Sequence, residues 1–454
     1  MRLNHTEVVS ADEIEAIHEA SLTILERIGM EFLCPEARSI MNEVGADIDE
    51  ASGRVRFPRE LVISSVAKAP SEFTLHSWNP DHDLQIGGRW LAYGTVGSAP
   101  HYIDRDGVRR TGDRNAFRDL LKLAQSLNTV HFIGGYPYSL GRQRNRDVLE
   151  MARIARGIDE HTLLHEPSVF SVVNSNSPLR LDTPMSQGMI EFARHNQPIV
   201  MTPFTLAGAM APITLAGALA QQNAEALAGI TFLQCVNAGT PVVYGGFTSN
   251  VDMQSGAPAF GTPEYVRTAM IGGQLARHYA LPYRSSNVCA ANALDAQAAY
   301  ESVFSLWGCV MGGVNFMMHG AGWMEGGLHA SLEKMVLDAD LLQMVTQIME
   351  PVIVDVDTLA IDTIESVGPG GHFFGTQHTQ DRFRNAFYKP LISDWRNYET
   401  WQEAGSPQAP DRAKLLAARF LDAYEPPPMD PAIRAELDAF VARRVAEGGV
   451  PTDY

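Results

Sequence analysis

Basic residues are scarce in this chain. Its 454 residues hold 35 Lys and Arg against 53 Asp and Glu, a formal net charge of −18. Such a surface repels a phosphate backbone or an anionic bilayer, so neither nucleic acid nor a membrane is expected as a partner. It suits a cationic ligand, and it equally serves to keep a large enzyme dispersed in water. Cysteine is scarcer still. Cys34, Cys235, Cys289 and Cys309 are the only four, and none stands at Cys-x-x-Cys spacing. That excludes a disulfide framework; reduced, mostly buried thiols are expected. Long apolar runs are missing too: Val303 to Met318 is broken by glycine, serine and asparagine and does not read as a bilayer span. The first residues lack a basic stretch followed by an apolar run, so no secretory signal is expected and the cytoplasm is the expected compartment.

Several chemistries lack their signatures. There is no Gly-x-Ser-x-Gly elbow, and no cysteine sits in an activating context, which disfavours nucleophilic catalysis. His161-x3-His165, His319-x9-His329 and His372-x5-His378 match no zinc pattern with its completing ligands, so no metal is expected. Gly368-x-Gly370-Gly371 could cradle a phosphate with backbone N–H groups, but it lacks the lysine of a phosphate loop. No candidate strand ends on a lysine that could form a Schiff base.

What is present is the pattern of a folded α/β chain. Hydrophobic residues make up 45% and charged residues 19%, which excludes disorder and supplies a sizeable core. Ser10 and Glu13 form a capping box before a helical repeat that ends at Gly29, and a second helix runs between Pro58 and Pro70. From Glu72 to Ile103 the pattern changes to short strands with turns, a front domain or lid. The middle repeats a short apolar run, a glycine-bearing loop and an amphipathic stretch. The strand candidates are His131-Gly134, Thr162-Glu166, Pro198-Pro203, Pro241-Gly246, Leu281-Asn287 and Val314-His319. Asp113, Thr183-Pro184 and Thr262-Pro263 mark helix starts between them. Six units in succession argue for a parallel sheet, either doubly wound or a barrel; a (β/α)8 barrel needs two more strands, which Val352 to Gly375 could supply only irregularly. The expected division is a helical and short-strand cap over 1–105, the catalytic core over 106–375 and a helical extension over 376–454, whose Asp430 to Glu447 helix could pack on the core or mediate association.

In a parallel fold of this kind ligands gather at the carboxyl ends of the strands. Those ends are rich in glycine, aromatics and isolated polar groups, as a selective apolar pocket requires. Tyr136, Phe204, Phe247, Trp323 and Phe373 offer aromatic faces, while Glu166 and Glu325 offer negative charge; together they could hold a methylated ammonium, which has no N–H to donate. Some of these rings are equally expected in the core. Asn287 and Tyr93 are further pocket candidates. The run Gly368-Pro369-Gly370-Gly371-His372-Phe373 could bring its backbone close to a ligand and present His372 at a defined angle.

In their order along the chain, Phe57-Pro58-Arg59-Glu60-Leu61, Ser177-Pro178-Leu179, Tyr244-Gly245-Gly246-Phe247, Asp252-Met253-Gln254-Ser255-Gly256, Gly261-Thr262-Pro263-Glu264, Gly326-Gly327-Leu328-His329-Ala330-Ser331-Leu332-Glu333-Lys334 and Gly368-Pro369-Gly370-Gly371-His372 resemble the trimethylamine methyltransferase family over nearly the whole chain. The resemblance implies a (β/α)8 barrel that moves a methyl group from a methylated amine to the cobalt of a separate corrinoid protein, with no cofactor held tightly by the chain itself. The best-known members carry pyrrolysine. This sequence contains only ordinary residues, so it resembles the non-pyrrolysine branch, whose members act on quaternary amines such as glycine betaine. His372 and Glu325 are then the expected catalytic residues. For the carboxylate of a betaine the donors would be His372 and the N–H groups of Gly370 and Gly371, then Arg284 and His165. A homo-oligomer is expected for a barrel enzyme of this size. The alternatives are a protein that binds methylated amines without catalysis, or a barrel enzyme that binds a phosphorylated metabolite through Gly368–Gly371.

Overall fold

The computed structural model describes residues 5–97, 99–103, 107–134 and 142–448. Its centre is a six-stranded sheet in the order Ala92–Thr95, Phe316–Ala321, Tyr283–Ser286, Val242–Gly245, Ile199–Met201, Ser171–Val173, with every neighbouring pair parallel. A parallel bridge between Gly94 and Phe132 adds one more segment beyond Ala92–Thr95. The helices Thr183–Arg194, Leu215–Val236, Pro263–His278 and Ala296–Gly312 join successive strands, and Leu332–Met349 follows the last. The architecture is therefore mixed α/β around a parallel sheet. The sheet is curved enough that Phe132, beyond one edge, meets Phe170, at the other, with ring centroids 5.6 Å apart.

Strand alternation sorts the side chains into two cores. Ala92, Val200, Val243, Phe316 and Met318 point inward with Phe132. Tyr93, Met201, Tyr244, Tyr283 and Met317 point outward into the helix layer. The hairpin of Glu72–Leu75 and Leu84–Gly87 closes the amino end of the sheet: Leu75 and Ile86 join the inward cluster, and the His76 N–H donates to the Pro167 carbonyl at 2.7 Å. The carboxyl ends are left for a site.

Local signals explain the starts of most elements. Ser10 and Glu13 make the reciprocal capping box, and the helix runs on through a wider turn, Ile24–Ile28, to Gly29 at φ 77°. Asp113 and Thr262 cap as expected. Asp182, one residue before Thr183, is the acceptor at the next helix. The amino-terminal helices pack on the outside of Leu215–Val236, where Phe32 meets Phe232 at 5.4 Å, and so buttress the helix layer away from the sheet's mouth. The tail helix Pro431–Ala446 packs on Arg142–Arg156, with Arg444 Nε 3.0 Å from Asp147.

Two strand expectations are corrected. Thr162-Glu166 lies in a helix, Glu160–His165, because Asp159 accepts the Thr162 N–H at 2.7 Å and caps it; the strand is Ser171–Val173, further on. Val352 to Gly375 contributes no strand. It holds the short helices Val356–Leu359 and Ile361–Val367 and an exposed loop. No helix among the described residues is long and apolar enough to cross a membrane.

Candidate functional site

At the carboxyl ends of the sheet the aromatic rings converge on Phe247. Its ring centroid lies 5.1 Å from Phe204, 5.6 Å from Phe260, and 6.0 Å from both Trp323 and His319. His319 and Trp323 stack on each other at 4.9 Å and 5°. His319 reaches this position through an irregularity. The ladder register shifts between Met317 and Ala321, and His319 adopts φ 54°, which turns its ring toward the mouth. Its Nδ1 lies 3.1 Å from Ser286 Oγ. Burial, reinforced by the Arg284 charge, holds its pKa well below the usual histidine value, so the ring is neutral at neutral pH.

Arg284 is the unusual residue. It faces inward from Tyr283–Ser286 and is 2% exposed, and its Cζ lies 4.8 Å from the Phe247 ring centroid. Its Nε and Nη1 have no hydrogen-bond partner, and no carboxylate among the described residues pairs with it. Burial lowers its pKa to about 10, which leaves it charged at neutral pH. A buried guanidinium without an acceptor is costly and calls for an anion. Other polar atoms nearby in the fold are also unpartnered: Thr202 Oγ1 and Asn287 Oδ1. Thr202, at the end of Ile199–Met201, reaches Gly245, the ladder partner of Arg284; a Cβ at Gly245 would collide with its hydroxyl and sit 2.6 Å from the Met201 carbonyl oxygen. Asn287 Nδ2 donates to the Gly320 carbonyl at 2.9 Å and ties the two strand ends together.

The segment carrying Trp323 is braced from behind. The Gly322 N–H donates to Asp338 Oδ2 at 2.8 Å, and Asp338 forms a fully buried ion pair with Lys334, which also donates to Ser302 Oγ at 2.8 Å. Gly327, at φ 95°, has no room for a side chain: a Cβ would lie 2.6 Å from Trp323 Cζ2.

The expected site residues divide accordingly. Phe204, Phe247, Arg284, Asn287 and Trp323 are gathered at the strand ends. Glu325 stands on the turn beyond Trp323, but its carboxylate is 2.9 Å from His329 Nδ1 and 3.1 Å from Arg109 Nη2, so its charge is already matched. Tyr93 faces the helix layer, 2% exposed, with Thr346 Oγ1 donating to its hydroxyl at 3.4 Å. His165 and Glu166 follow from the misread strand: they lie at the amino end of Ser171–Val173, His165 bonded to the His161 carbonyl and Glu166 to Arg156. Gly370, Gly371, His372 and Phe373 sit on an exposed segment, at a 620 Å³ groove lined only by residues between Asp362 and His378. That groove has an aspartate and no lysine or arginine, which does not suit a phosphate. Tyr136 lies outside the described residues.

Phe260 and His319 were not among the expected site residues. Phe260 lies in a loop before a helix cap, with no pattern to separate it from core. His319 ends an apolar strand run, and only the left-handed turn shows that its ring faces the mouth. Cys289 and Cys309 are buried, which pushes their thiols up to about 12 and about 11, so neither is a nucleophile at neutral pH. Among the described residues the one close grouping of metal-ligand types is Glu15, His18 and Glu19 on the first helix, where His18 Nδ1 already bonds the Tyr279 hydroxyl at 2.8 Å.

A curved parallel sheet with an aromatic cluster and a buried, unpaired guanidinium at its carboxyl ends is the frame of an α/β enzyme for a small charged molecule. Known proteins narrow the class. The model of the trimethylamine methyltransferase family matches residues 1–139 and 136–449. The chain is 34% identical to a glycine betaine methyltransferase of Desulfitobacterium hafniense strain Y51, across 97% of this chain and 98% of that one. It is 29% identical to a trimethylamine methyltransferase of Methanosarcina acetivorans, across 96% and 94%. Among solved structures it resembles the monomethylamine methyltransferase of Methanosarcina barkeri, with a TM-score of 0.53 at 10% identity over 91% of this chain and 87% of that one. The chain belongs to the trimethylamine methyltransferase family and is a methyltransferase.

Proposed function

We propose that this enzyme takes a methyl group from a quaternary amine that also carries a carboxylate, a substrate of the glycine betaine kind, and passes it to the cobalt(I) of a separate corrinoid protein. The observation that carries the reading is Arg284: a buried guanidinium with unpartnered N–H groups, set against a cluster of aromatic rings. The rings hold the trimethylammonium end and Arg284 holds the carboxylate, so one zwitterion satisfies both. The name of the 34% identical relative supports the same substrate class. The finer fold reading, a closed (β/α)8 barrel, is supported by the approach of the sheet's edges at Phe132 and Phe170.

The chemistry asked of this chain is then positioning. A quaternary nitrogen leaves as a neutral tertiary amine, so displacement needs no proton. Among the described residues, those that meet at the strand ends supply none: His319 is neutral, and the ring and guanidinium contacts of the cluster include no carboxylate. The mouth's aromatic faces and the Arg284 guanidinium fit the amine, and among the described residues they do not form a set of metal ligands. The corrinoid, when its carrier protein docks, supplies the methyl acceptor. Arg284 fixes one end of the substrate, the rings fix the other, and one methyl group is directed outward, which lowers the barrier by prepaid orientation. The rings cannot grip the cation too tightly, because its charge disperses in the transition state.

Trimethylamine fits less well. It brings no anion to Arg284 and offers a poorer leaving group. A thermal-shift screen of the pure protein tests the reading. Glycine betaine at about 100 times its Kd should stabilise the fold by roughly 2.7 kcal/mol, while choline and trimethylamine should have little effect. Equal stabilisation by choline, or demethylation of trimethylamine with the corrinoid partner present, would overturn it.

A further inference from the structure

The mechanism leaves one buried charge pair unused. Lys334, the last residue of the Gly326–Lys334 segment, is 2% exposed, and Asp338, its partner one turn further along Leu332–Met349, is fully buried. Taking two charges out of water usually costs more than their attraction returns, and apolar side chains of similar volume stabilise a fold as well or better. Such a pair points to a use other than stability. Burial works against the Asp338 charge and raises its pKa, and the Lys334 ammonium opposes that rise.

The contacts of the pair show where that use lies. Asp338 Oδ1 takes the Lys334 ammonium and Oδ2 accepts the Gly322 N–H at 2.8 Å; the ammonium also donates to Ser302 Oγ, at 2.8 Å, on the helix Ala296–Gly312. The Gly322 carbonyl accepts the Ser331 N–H at 3.1 Å, and Ser331 Oγ caps the helix that carries the pair by accepting the Lys334 N–H at 3.1 Å. Both polar groups of Gly322 are thus held by the start of one helix. Gly322 stands at φ 97°, and as a glycine it gives the turn no stiffness of its own. The next residue is Trp323, whose ring stacks on His319 at 4.9 Å and meets Phe260 edge-on at 5.2 Å. A charged acceptor holds an N–H about twice as strongly as a neutral one, which suits a turn that must not shift.

We propose that Lys334 and Asp338 are positioning residues for the reaction: they pin the Gly322 peptide and so fix the face that Trp323 turns to the ammonium end of the substrate. The proposal rests on the reading that the aromatic cluster holds the amine, and it is the same for any methylated ammonium bound there. Both residues lie behind the mouth and act through the ring. Loosening the pair therefore costs affinity, up to what loss of the ring itself costs, and leaves the chemical step alone. It costs nothing further once the ring has been removed.

Two charge-free variants of the full-length protein test this. Lys334→Met with Asp338→Leu removes the charges and the acceptor; Lys334→Met with Asp338→Asn removes the charges and keeps an acceptor for the Gly322 N–H. The first should weaken glycine betaine binding in calorimetry by about tenfold, within the ~2- to 30-fold that one cation–π face is worth, and should raise KM with kcat within about threefold of the parent's. The second should regain most of that loss. On a Trp323→Leu background the first pair of changes should alter the affinity by less than about twofold. Fluorotryptophan labelling reads the ring without ligand. The fluorine signal missing from Trp323→Leu should be one sharp line in the parent, shift or broaden in the first variant, and return in the second. If the first variant does not fold, Ser302→Ala, which frees one side of the Lys334 ammonium, is read in the same two ways. An unmoved fluorine signal, an affinity within about twofold of the parent's, or an equal loss with and without the Trp323 ring would each overturn the proposal. A parent that binds no betaine, with the fluorine shifts as expected, would refute the substrate assignment while supporting the pair's hold on Trp323.

Discussion

Replacing Arg284 with methionine is expected to act in opposite directions on the fold and on the substrate. The guanidinium is 2% exposed, and burial brings its pKa down to about 10. Against its ordinary value above ~12, that drop corresponds to about 3 kcal/mol working against the charged form. Because the folded pKa lies below the unfolded one, the unfolded chain holds the proton more firmly. The cost is therefore full at neutral pH and is relieved only as pH rises through about 10. Arg284→Met removes the charge at similar volume, so the ligand-free variant should be more stable by about 1–4 kcal/mol. Glycine betaine should respond the other way. Its carboxylate would enter the same site without a partner, at a cost of about 3–5 kcal/mol, or between about 100- and 4,000-fold in Kd. Calorimetry reads the affinity, and denaturant unfolding without ligand reads the stability. A ligand-free variant less stable than the parent, or a betaine affinity within about threefold of it, would refute the reasoning, since a factor of three is less than 1 kcal/mol.

Trp323→Leu should weaken betaine binding by about 2- to 30-fold, the worth of one cation–π face, seen as a raised KM with kcat little changed. His372→Ala should leave betaine affinity within about twofold, the usual limit for an exposed site; a 100-fold loss in calorimetry would return it to the pocket. His319 and His131 are held neutral by burial, with pKa values below the usual one. Their folded values lie below the unfolded ones, so the stability they protect is present above pH ~6.5 and is lost as pH falls below it. Urea midpoints at pH 7.5 and 5.5 check this, and an unchanged midpoint would count against neutral, buried rings.

Much of this was legible because apolar runs bounded by proline and glycine report parallel strands well. Pro198-Pro203, Pro241-Gly246 and Leu281-Asn287 each contain a strand of the central sheet, and Val314-His319 overlaps Phe316–Ala321. Thr162-Glu166 misled because two leucines among polar residues carry no period, and the capping aspartate three residues earlier decides for helix. Ala92–Thr95 reads as part of a front domain, since nothing local says that it pairs with a strand more than 200 residues away. In the site, placing chemistry at strand ends located Phe204, Phe247, Arg284, Asn287 and Trp323. The glycine loop before His372 signalled a permissive backbone correctly, yet it lies on an exposed segment, at a groove lined by its own neighbours in the chain. What the sequence could not display was absence: Arg284 stands out because no carboxylate among the described residues pairs with it, and a missing partner has no motif.

The same absence decides between zwitterions and simple cations. In a betaine the ammonium and carboxylate are separated by a single carbon, so an ammonium whose carboxylate meets Arg284 sits roughly 6 Å from the guanidinium. With a bare cation such as choline in that position, two positive charges at ~6 Å repel by about 3 kcal/mol at an effective dielectric of ~20. That is a penalty of about 100-fold which the carboxylate of a betaine cancels. Aromatic faces alone could not discriminate in this way, because they grip any methylated ammonium. Arg284→Met should therefore invert the preference: choline should bind about 100-fold more tightly than to the parent while glycine betaine weakens. Titration of both ligands against both proteins gives the four affinities. If choline affinity does not move when the charge is removed, the guanidinium does not face the ammonium site, and the carboxylate is held elsewhere.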